Sequence, residues 1–263
     1  MWTLIIALFT TTLFFEIYPA TAHNLPLVVM VIAAAAIAYP AGHFLVIFAK
    51  TKQRNNFINT YARKRGYTLL PKDKLDQLKT KIVFTPATKR MRLRANNAFT
   101  WKRDKIIGTT LDLNISILDH ATHPSLLTTT TVITLPEELN LPYILIRARQ
   151  PGVWEQWALA TVPWDSWDVR TRQASSGRAW ILLSTDIKTA RKSISQDLIN
   201  YLDSLPWRDT KDTPQTYLEI LGSTLKLSTR ILSTEQDIDA FVHAAETIAT
   251  KLTNKQREKT KTP

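Results

Sequence analysis

The sequence predicts an α+β fold, with an N-terminal transmembrane helical hairpin followed by a cytoplasmic antiparallel sheet covered by amphipathic helices. Three observations lead to this class. Residues 25–49 contain no Asp, Glu, Lys or Arg, short segments after residue 105 are rich in β-branched residues, and the last part of the chain repeats apolar residues at helical spacing. Short connections between strands favour antiparallel neighbours, and amphipathic helices then cover one face of the sheet.

The apolar run 25–49 is long enough to cross a bilayer, which takes roughly 20 residues. A second apolar run, residues 2–18, precedes it. The two runs form either a hairpin within residues 1–49 or a cleaved signal peptide followed by one span. Because no Lys or Arg precedes the first run, the positive region of a signal peptide is missing, and we favour the hairpin. The basic residues that follow place the large C-terminal part on the cytoplasmic side.

The net charge of +12 is concentrated beside the apolar run. Residues 50–110 hold 17 Lys or Arg and three Asp, a net charge of +14, whereas the rest of the chain has a net charge of −2. This local charge suits anionic lipid head groups better than a nucleic-acid-binding face, and no nucleic acid is expected as a partner. We predict a basic juxtamembrane helical segment at 50–104, in which a lipid-facing collar consists of Lys50, Lys52, Arg54, Arg63, Lys64, Arg65, Lys89, Arg90, Arg92 and Arg94.

Two groups of residues are candidates for contact with a partner protein. The small side chains of Ala33 and Ala36, with Pro40 close by in the sequence, let another helix approach closely. The first helix of the chain itself would serve equally well as that neighbour. Two pairs of tryptophans either form a contact patch or fill the core of the sheet, and the core is the favoured interpretation. These tryptophans are Trp154, Trp157, Trp164 and Trp167.

The remaining elements follow from periodicity and turn signals. Helices are predicted at 52–65, ending at Gly66, and at 72–79 after Pro71. Strands are predicted at 111–118, 126–135 and 142–149, and a helix is predicted at 191–205. A hairpin of 217–221 and 224–229 turns at Gly222-Ser223. A capping box of Ser233 and Gln236 begins the closing helix. We therefore predict a domain at 105–253 and a flexible basic tail at 254–263.

The sequence shows no pattern of catalytic or metal-binding residues. The chain has no cysteines, which excludes disulfides, thiolate nucleophiles and sulfur-based metal sites. His120 and His123, beside Asp119, are interpreted as residues of a turn, because a metal site normally needs three or four ligands on rigid elements. Six isolated glycines provide neither a phosphate-binding loop nor a dinucleotide fingerprint. We expect no cofactor, no metal and no catalytic residue.

Four stretches of the chain resemble a family of bacterial membrane proteins. They are WDVRTRQ at 167–173, LINYLDSL at 198–205, YLEILGSTLKLS at 217–228 and DIDAFVHAAETIATKL at 237–252. The family is mainly actinobacterial, carries N-terminal transmembrane helices and has a cytoplasmic domain of unknown function. The resemblance implies a protein of the bacterial plasma membrane whose large domain is cytoplasmic, and it supplies no catalytic residues.

These features favour a non-catalytic accessory or scaffolding subunit of a plasma-membrane protein complex. An actinobacterial respiratory supercomplex is one candidate for that complex. The expected partners are a bilayer with anionic head groups and other membrane protein subunits. Two alternatives stay open, a sensor that binds anionic lipid through the collar and an enzyme of unrecognised type.

Overall fold

The computed structural model describes residues 25–82, 91–117, 126–136, 139–148, 165–170, 179–206 and 216–261. The chain divides into two compact units, Met1–Phe57 and Ile58–Pro263. The predicted first span at 2–18, with its signal-peptide alternative, lies outside the described residues.

A long helix, α1, forms the described part of the first unit. It spans Leu25–Lys64, a length of 40 residues, so it includes the predicted second span and ends within the second unit. Pro40 lies inside this helix. Among the residues that are described in full, no helix is long and apolar enough to be a candidate for crossing a membrane. Both predicted spans therefore stay predictions.

The end of α1 agrees with the predicted stop at Gly66. Gly66 has a φ of +69°, which is the left-handed conformation that glycine adopts without strain. Its amide donates to the carbonyl of Arg63 at 3.1 Å, and the amide of Tyr67 donates to the carbonyl of Ala62 at 2.8 Å. These are the two hydrogen bonds of a Schellman motif, which satisfies carbonyls that the end of a helix leaves unpaired.

In the described residues of the second unit there are nine strands, one of them only two residues long. In chain order they are β1 (Thr68–Leu69), β2 (Met91–Arg103), β3 (Ile106–Ile117), β4 (Leu126–Thr134), β5 (Leu141–Ala148), β6 (Asp165–Arg170), β7 (Ala179–Ser184), β8 (Tyr217–Gly222) and β9 (Thr224–Arg230). They form one sheet in the order β1-β2-β3-β4-β9-β8-β5-β7-β6, and each pair of neighbours is antiparallel.

Helices accompany the sheet, so the α+β class is confirmed. They are α2 (Lys72–Ile82), α3 (Ile187–Ser193), α4 (Gln196–Ser204) and α5 (Glu235–Lys261). Leu75 of α2 is buried against Leu111 and Leu113 of β3, which lie on one face of the sheet. On the opposite face, Arg103 of β2 contacts Glu246 of α5. Helix α2, which the sequence places in the juxtamembrane segment and not among the covering helices, thus covers part of the other face.

Two predictions about the strands need correction. Residues 91–103 form β2 and are not part of a helical segment, although the alternation of Arg92 and Arg94 with apolar residues has the period of a strand. The predicted strands 111–118, 126–135 and 142–149 correspond to β3, β4 and β5. However, β9 and β8 lie between β4 and β5, so β4 and β5 are not the antiparallel neighbours that their short connection favours.

Three predictions about the helices also change. The predicted helix 191–205 is two helices, because Ile194 has an extended ψ of 123° and Ser195 then caps α4 by accepting a hydrogen bond from the amide of Leu198 at 3.1 Å. The cap of α5 lies one residue later than predicted, at Thr234, which accepts from the amide of Asp237 at 3.1 Å. Helix α5 then continues to Lys261, through the segment predicted as a flexible tail.

Hydroxyl groups connect the central strands inside the sheet. The hydroxyls of Thr110 and Thr131 lie 2.7 Å apart, and those of Thr130 and Ser228 lie 3.0 Å apart. The indole of Trp101 donates to the hydroxyl of Thr110 at 3.0 Å. All of these side chains are buried, and their hydrogen bonds offset the loss of contact with water.

Trp101 lies directly over Gly108 on the neighbouring strand, and this contact leads to a first prediction. A Cβ atom at Gly108 would come within 2.2 Å of the indole ring. The ring is buried and hydrogen-bonded, so it has little room to move. Gly108→Ala should therefore lower the free energy of unfolding by about 1–3 kcal/mol, as overpacking does. Urea unfolding of the full chain in mild detergent, followed by circular dichroism, measures this loss.

A Trp101→Leu background is the control, because it removes the ring that the added methyl would meet. Gly108→Ala should lower the free energy of unfolding clearly less in that background than in the native protein. Equal losses in the two backgrounds would contradict the steric explanation.

Candidate functional site

An exposed apolar turn of α1 lies just before the first basic residues of the predicted collar. Leu45, Val46, Ile47 and Phe48 are 64%, 52%, 51% and 58% exposed. Consecutive residues of a helix are separated by about 100° around its axis, so these four side chains point to all sides of α1. A helix segment that is apolar on all sides is stable only where lipid or other helices cover it. We call residues 45–48 the apolar turn.

Cations begin two residues after the apolar turn. Lys50 and Lys52 are exposed. The guanidinium of Arg54 lies 5.3 Å from the ring centroid of Phe57, which is within the range of a cation–π interaction. Where a helix passes from lipid tails into head groups, apolar side chains are expected on all sides first, and cations are expected after them.

Two other residues of the predicted collar form ion pairs within the second unit. Lys64 Nζ lies 2.7 Å from Glu235 Oε2, and Arg65 pairs with Asp239. Both acidic residues belong to the first turns of α5, while both basic residues lie at the end of α1. Opposite charges at these two helix ends also interact favourably with the helix dipoles. The structure thus gives Lys64 and Arg65 partners inside the protein.

A buried tyrosine strengthens the same contact. The hydroxyl of Tyr61 donates to Asp239 Oδ1 at 2.8 Å, and the ring is fully buried. Burial and the bond to Asp239 raise the pKa of Tyr61. The ring also packs edge-on against Phe99 of β2, at a centroid distance of 5.5 Å. The last turns of α1 are therefore part of the core of the second unit.

The other predicted contact residues are placed as follows. Arg63 is exposed near the end of α1, and Arg94 is exposed on β2. Ala36 is exposed on α1, whereas only the backbone of Ala33 and Pro40 is described. Arg92 on β2 and Trp167 on β6 are likewise described by their backbone alone. Outside the described residues lie Lys89, Arg90, His120, His123, Trp154, Trp157 and Trp164.

A buried charged cluster lies on the central strands, and sequence reasoning missed it. Glu219 of β8 and Lys226 of β9 are direct cross-strand partners and form an ion pair. The hydroxyl of Tyr143 donates to Glu219 Oε1 at 2.9 Å, and Lys226 Nζ lies 5.6 Å from the ring centroid of Tyr217. We call these four residues the sheet cluster. The pairing of Glu219 with Lys226 could be predicted from the sequence, because a turn at Gly222-Ser223 places these two residues opposite each other.

Burial dominates the electrostatics of the sheet cluster. Glu219 and Lys226 are 6% and 7% exposed. Loss of water lowers the pKa of Lys226 to about 7. Burial, with a smaller contribution from Tyr217, raises the pKa of Tyr143. A buried ion pair repays its desolvation only when its remaining polar atoms are also bonded, and Tyr143 provides one such bond.

Metal ligands are not assembled in the part of the chain that the structure describes. Groups of three or more His, Cys, Asp or Glu residues suited to a metal ion are absent there. His243 is exposed on α5, with its Nδ1 3.5 Å from Glu246 Oε2. The expectation of no metal and no cofactor stays a prediction.

Comparisons with known proteins give one distant structural likeness. No family model matches the chain, and no curated protein shows significant similarity to it. The chain is similar to the crystal structure of the mycobacterial trehalose monomycolate transport factor A, with a TM-score of 0.46 and 10% identity. The similarity covers 75% of this chain and 93% of that chain. A likeness of this strength carries no argument about function.

Removing one partner of the sheet cluster should destabilise the protein strongly. Lys226→Met leaves the Glu219 carboxylate buried without its cation, and Glu219→Gln leaves the ammonium without its anion. Each change should lower the free energy of unfolding by about 3–5 kcal/mol. The double variant Lys226→Met/Glu219→Leu should lose less free energy of unfolding than either single variant, since it buries no unpaired charge. Urea unfolding of the full chain in detergent at about pH 6, below the pKa of Lys226, compares the three variants, and additive losses of stability would contradict the pairing.

The lowered pKa of Lys226 predicts how stability changes with pH. Lysine in the unfolded chain titrates near pH 10.4, whereas Lys226 in the folded protein titrates at about pH 7. Between these values the unfolded chain binds one more proton, so the free energy of unfolding rises with pH by up to about 1.4 kcal/mol per unit. Below about pH 7, Lys226 is charged in both the folded and the unfolded state, so it does not change the free energy of unfolding with pH.

Lys226→Met removes this titrating group and provides the comparison. We expect the stability of the native protein to rise relative to that of Lys226→Met as the pH increases from about 7 to about 10. The measurement is a series of urea titrations of both proteins over that range. Parallel profiles would contradict the lowered pKa.

Proposed function

We propose that this protein is a membrane-anchored, non-catalytic accessory or scaffolding subunit of a bacterial plasma-membrane protein complex. In this proposal, residues 1–49 anchor the chain in the bilayer. The sheet domain lies in the cytoplasm, where it contacts other subunits. Anionic lipid head groups contact the cations nearest the bilayer.

The observation that carries the proposal is the apolar turn followed by cations. Four consecutive apolar side chains, each more than half exposed, are costly in water at roughly 25 cal/mol per Å² of apolar surface. The bilayer or a neighbouring helix removes that cost. Lys50 and Lys52, which come directly after the turn, then lie at the depth of the head groups, where cations are favoured.

The last turns of α1 support a role in presenting the domain. Ile58, Tyr61 and Ala62 are buried in the second unit, and Lys64 and Arg65 pair with α5. The helix that we propose as the anchor is thus also a structural element of the domain. Such a construction suits a subunit that holds a folded domain beside a membrane complex.

A respiratory supercomplex is the candidate complex that the resemblance to actinobacterial membrane proteins suggests. The alternative function is an anionic-lipid sensor, which the exposure of Lys50 and Lys52 favours. Purification of the tagged full chain from native membranes in mild detergent, with mass spectrometry, separates the two. A stoichiometric set of membrane subunits supports the accessory subunit and names its complex. A protein that purifies alone contradicts the accessory subunit and favours the anionic-lipid sensor.

Membrane insertion of the apolar turn has a direct test, because the chain contains no cysteine. Single cysteines at Leu45, Val46, Ile47 and Phe48 should react with a membrane-impermeant maleimide at least roughly tenfold more slowly than a cysteine at Lys52, since apolar surroundings suppress the thiolate. The measurement uses inverted membrane vesicles, which expose the cytoplasmic side.

Detergent solubilisation followed by denaturation is the control, and it should make all five cysteines equally reactive. Fast labelling at all four apolar positions in intact vesicles would contradict the anchor. Slow labelling on one side of the helix only would show a partner helix on that side, with water on the other.

A further inference from the structure

Strand β2 is much longer than the strand that pairs with its outer side. It spans Met91–Arg103, 13 residues, and β3 pairs with it on both sides of a bulge. On the outer side, β1 pairs only with Phe99 and Thr100. Among the described strands, none pairs with the outer side of residues 91–97. We call residues 91–97 the open edge.

The two faces of the open edge differ in chemistry. Ala95 is buried on the face that α2 covers, where Leu75 and Leu78 pack against the same cluster. Arg94 and Asn96 alternate with Ala95 along the strand, so they lie on the opposite face, and both are exposed. A strand added at this edge therefore meets apolar surface on one face and a cation on the other.

The charge around the open edge is basic, both in the described side chains and in the whole stretch. Among the described side chains, Lys72 and Lys74 of α2 and Arg94 of β2 are exposed, against Asp73. Residues 70–98 together contain eight Lys or Arg and two Asp, a net charge of +6. Charge complementarity therefore favours an acidic partner at this edge.

The acidic residue opposite the open edge on β3 does not neutralise this charge. Asp112 pairs with Asn96 in the register, is 3% exposed and accepts a hydrogen bond from the side chain of Asn97 at 2.9 Å. Arg94 forms no ion pair within the described part of the chain. The open edge thus presents a cation to the outside.

We propose that the open edge binds an extended acidic segment of a partner subunit as an additional strand of the sheet. This inference rests on the proposed function, because it states the chemistry of one contact between the domain and another subunit. Backbone hydrogen bonds give the segment its affinity, and acidic side chains beside Arg94 give specificity. Like charges disfavour a second copy of the same edge. A lipid surface neutralises cations but does not pair with a strand backbone.

The test uses the full chain in nanodiscs of phosphatidylcholine, which has no net charge, with short peptides of alternating Glu and Val or of alternating Lys and Val. Fluorescence anisotropy measures binding, and hydrogen exchange with mass spectrometry follows the amides of residues 91–97. We expect the Glu–Val peptide to bind roughly tenfold more tightly than the Lys–Val peptide and to slow exchange in the open edge roughly tenfold. Equal binding of the two peptides, or no binding at about 1 mM, overturns the proposal.

Methylation of peptide amides separates strand addition from simple charge attraction. In an extended peptide, successive amides point to opposite edges, so only the Glu amides or only the Val amides bond to β2. Methylation of every amide in the bonding set should weaken binding at least roughly tenfold, whereas methylation of the other set should leave it unchanged. Equal binding of the two methylated peptides overturns strand addition.

Charge reversal tests the contribution of Arg94. Arg94→Glu should weaken binding of the Glu–Val peptide roughly fivefold and strengthen binding of the Lys–Val peptide. The matched control is Arg230→Glu, because Arg230 is also exposed on a strand, and β3 and β4 separate that strand, β9, from β2. The control should leave both affinities unchanged. An equal loss in the two variants would overturn the assignment to the open edge.

Three further results separate this inference from lipid binding and from the proposed function. Slow exchange of the open edge in nanodiscs with phosphatidylglycerol, without peptide, assigns the edge to lipid head groups and overturns the proposal. Membrane subunits that co-purify unchanged with Arg94→Glu, when the peptides also fail to bind, overturn the open edge alone. A native protein that purifies alone overturns the accessory subunit and, with it, a subunit as the source of the segment, even when the Glu–Val peptide binds.

Discussion

The sheet of this protein depends on partners for the polar side chains that its central strands bury. Thr110 bonds Thr131 and the indole of Trp101, Thr130 bonds Ser228, and Glu219 bonds both Lys226 and Tyr143. Buried polar groups without such partners cost as much as a lost hydrogen bond or more. Because the partners lie on different strands, each bond also fixes which strands are neighbours. The polar groups therefore help to specify the strand order.

Local patterns predicted the elements whose signals lie within a few residues. The β8–β9 hairpin formed as predicted, since Gly222 adopts the positive φ of 59° that a tight turn needs. Strand β2 is missing from the predicted elements. Its arginines also fit a charged segment, and that interpretation ignores the two-residue period that is typical of a strand. The insertion of β9 and β8 between β4 and β5 has no local signal at all. It follows from pairings between residues about 100 positions apart, such as Thr130 with Ser228.

The candidate site was predictable to a similar extent. The apolar run and the first cations of the collar are visible as composition, and the exposure of residues 45–48 agrees with that pattern. The pairing of Lys64 and Arg65 with α5 was not visible, because their partners lie about 170 residues further along the chain. Charge counts treat all cations of a segment alike. The fold then divides them into those that pair internally and those that face outward.

The boundary between the two units falls inside α1, between Phe57 and Ile58. A chain cut at the end of the apolar run would keep Tyr61 and its bond to Asp239, whereas a chain cut at the first strand would remove both. The remaining domain would then expose Phe99 and leave Asp239 without Tyr61 and Arg65. The domain can therefore be moved to another anchor, or made as a soluble fragment, only if it keeps the final turns of its own helix.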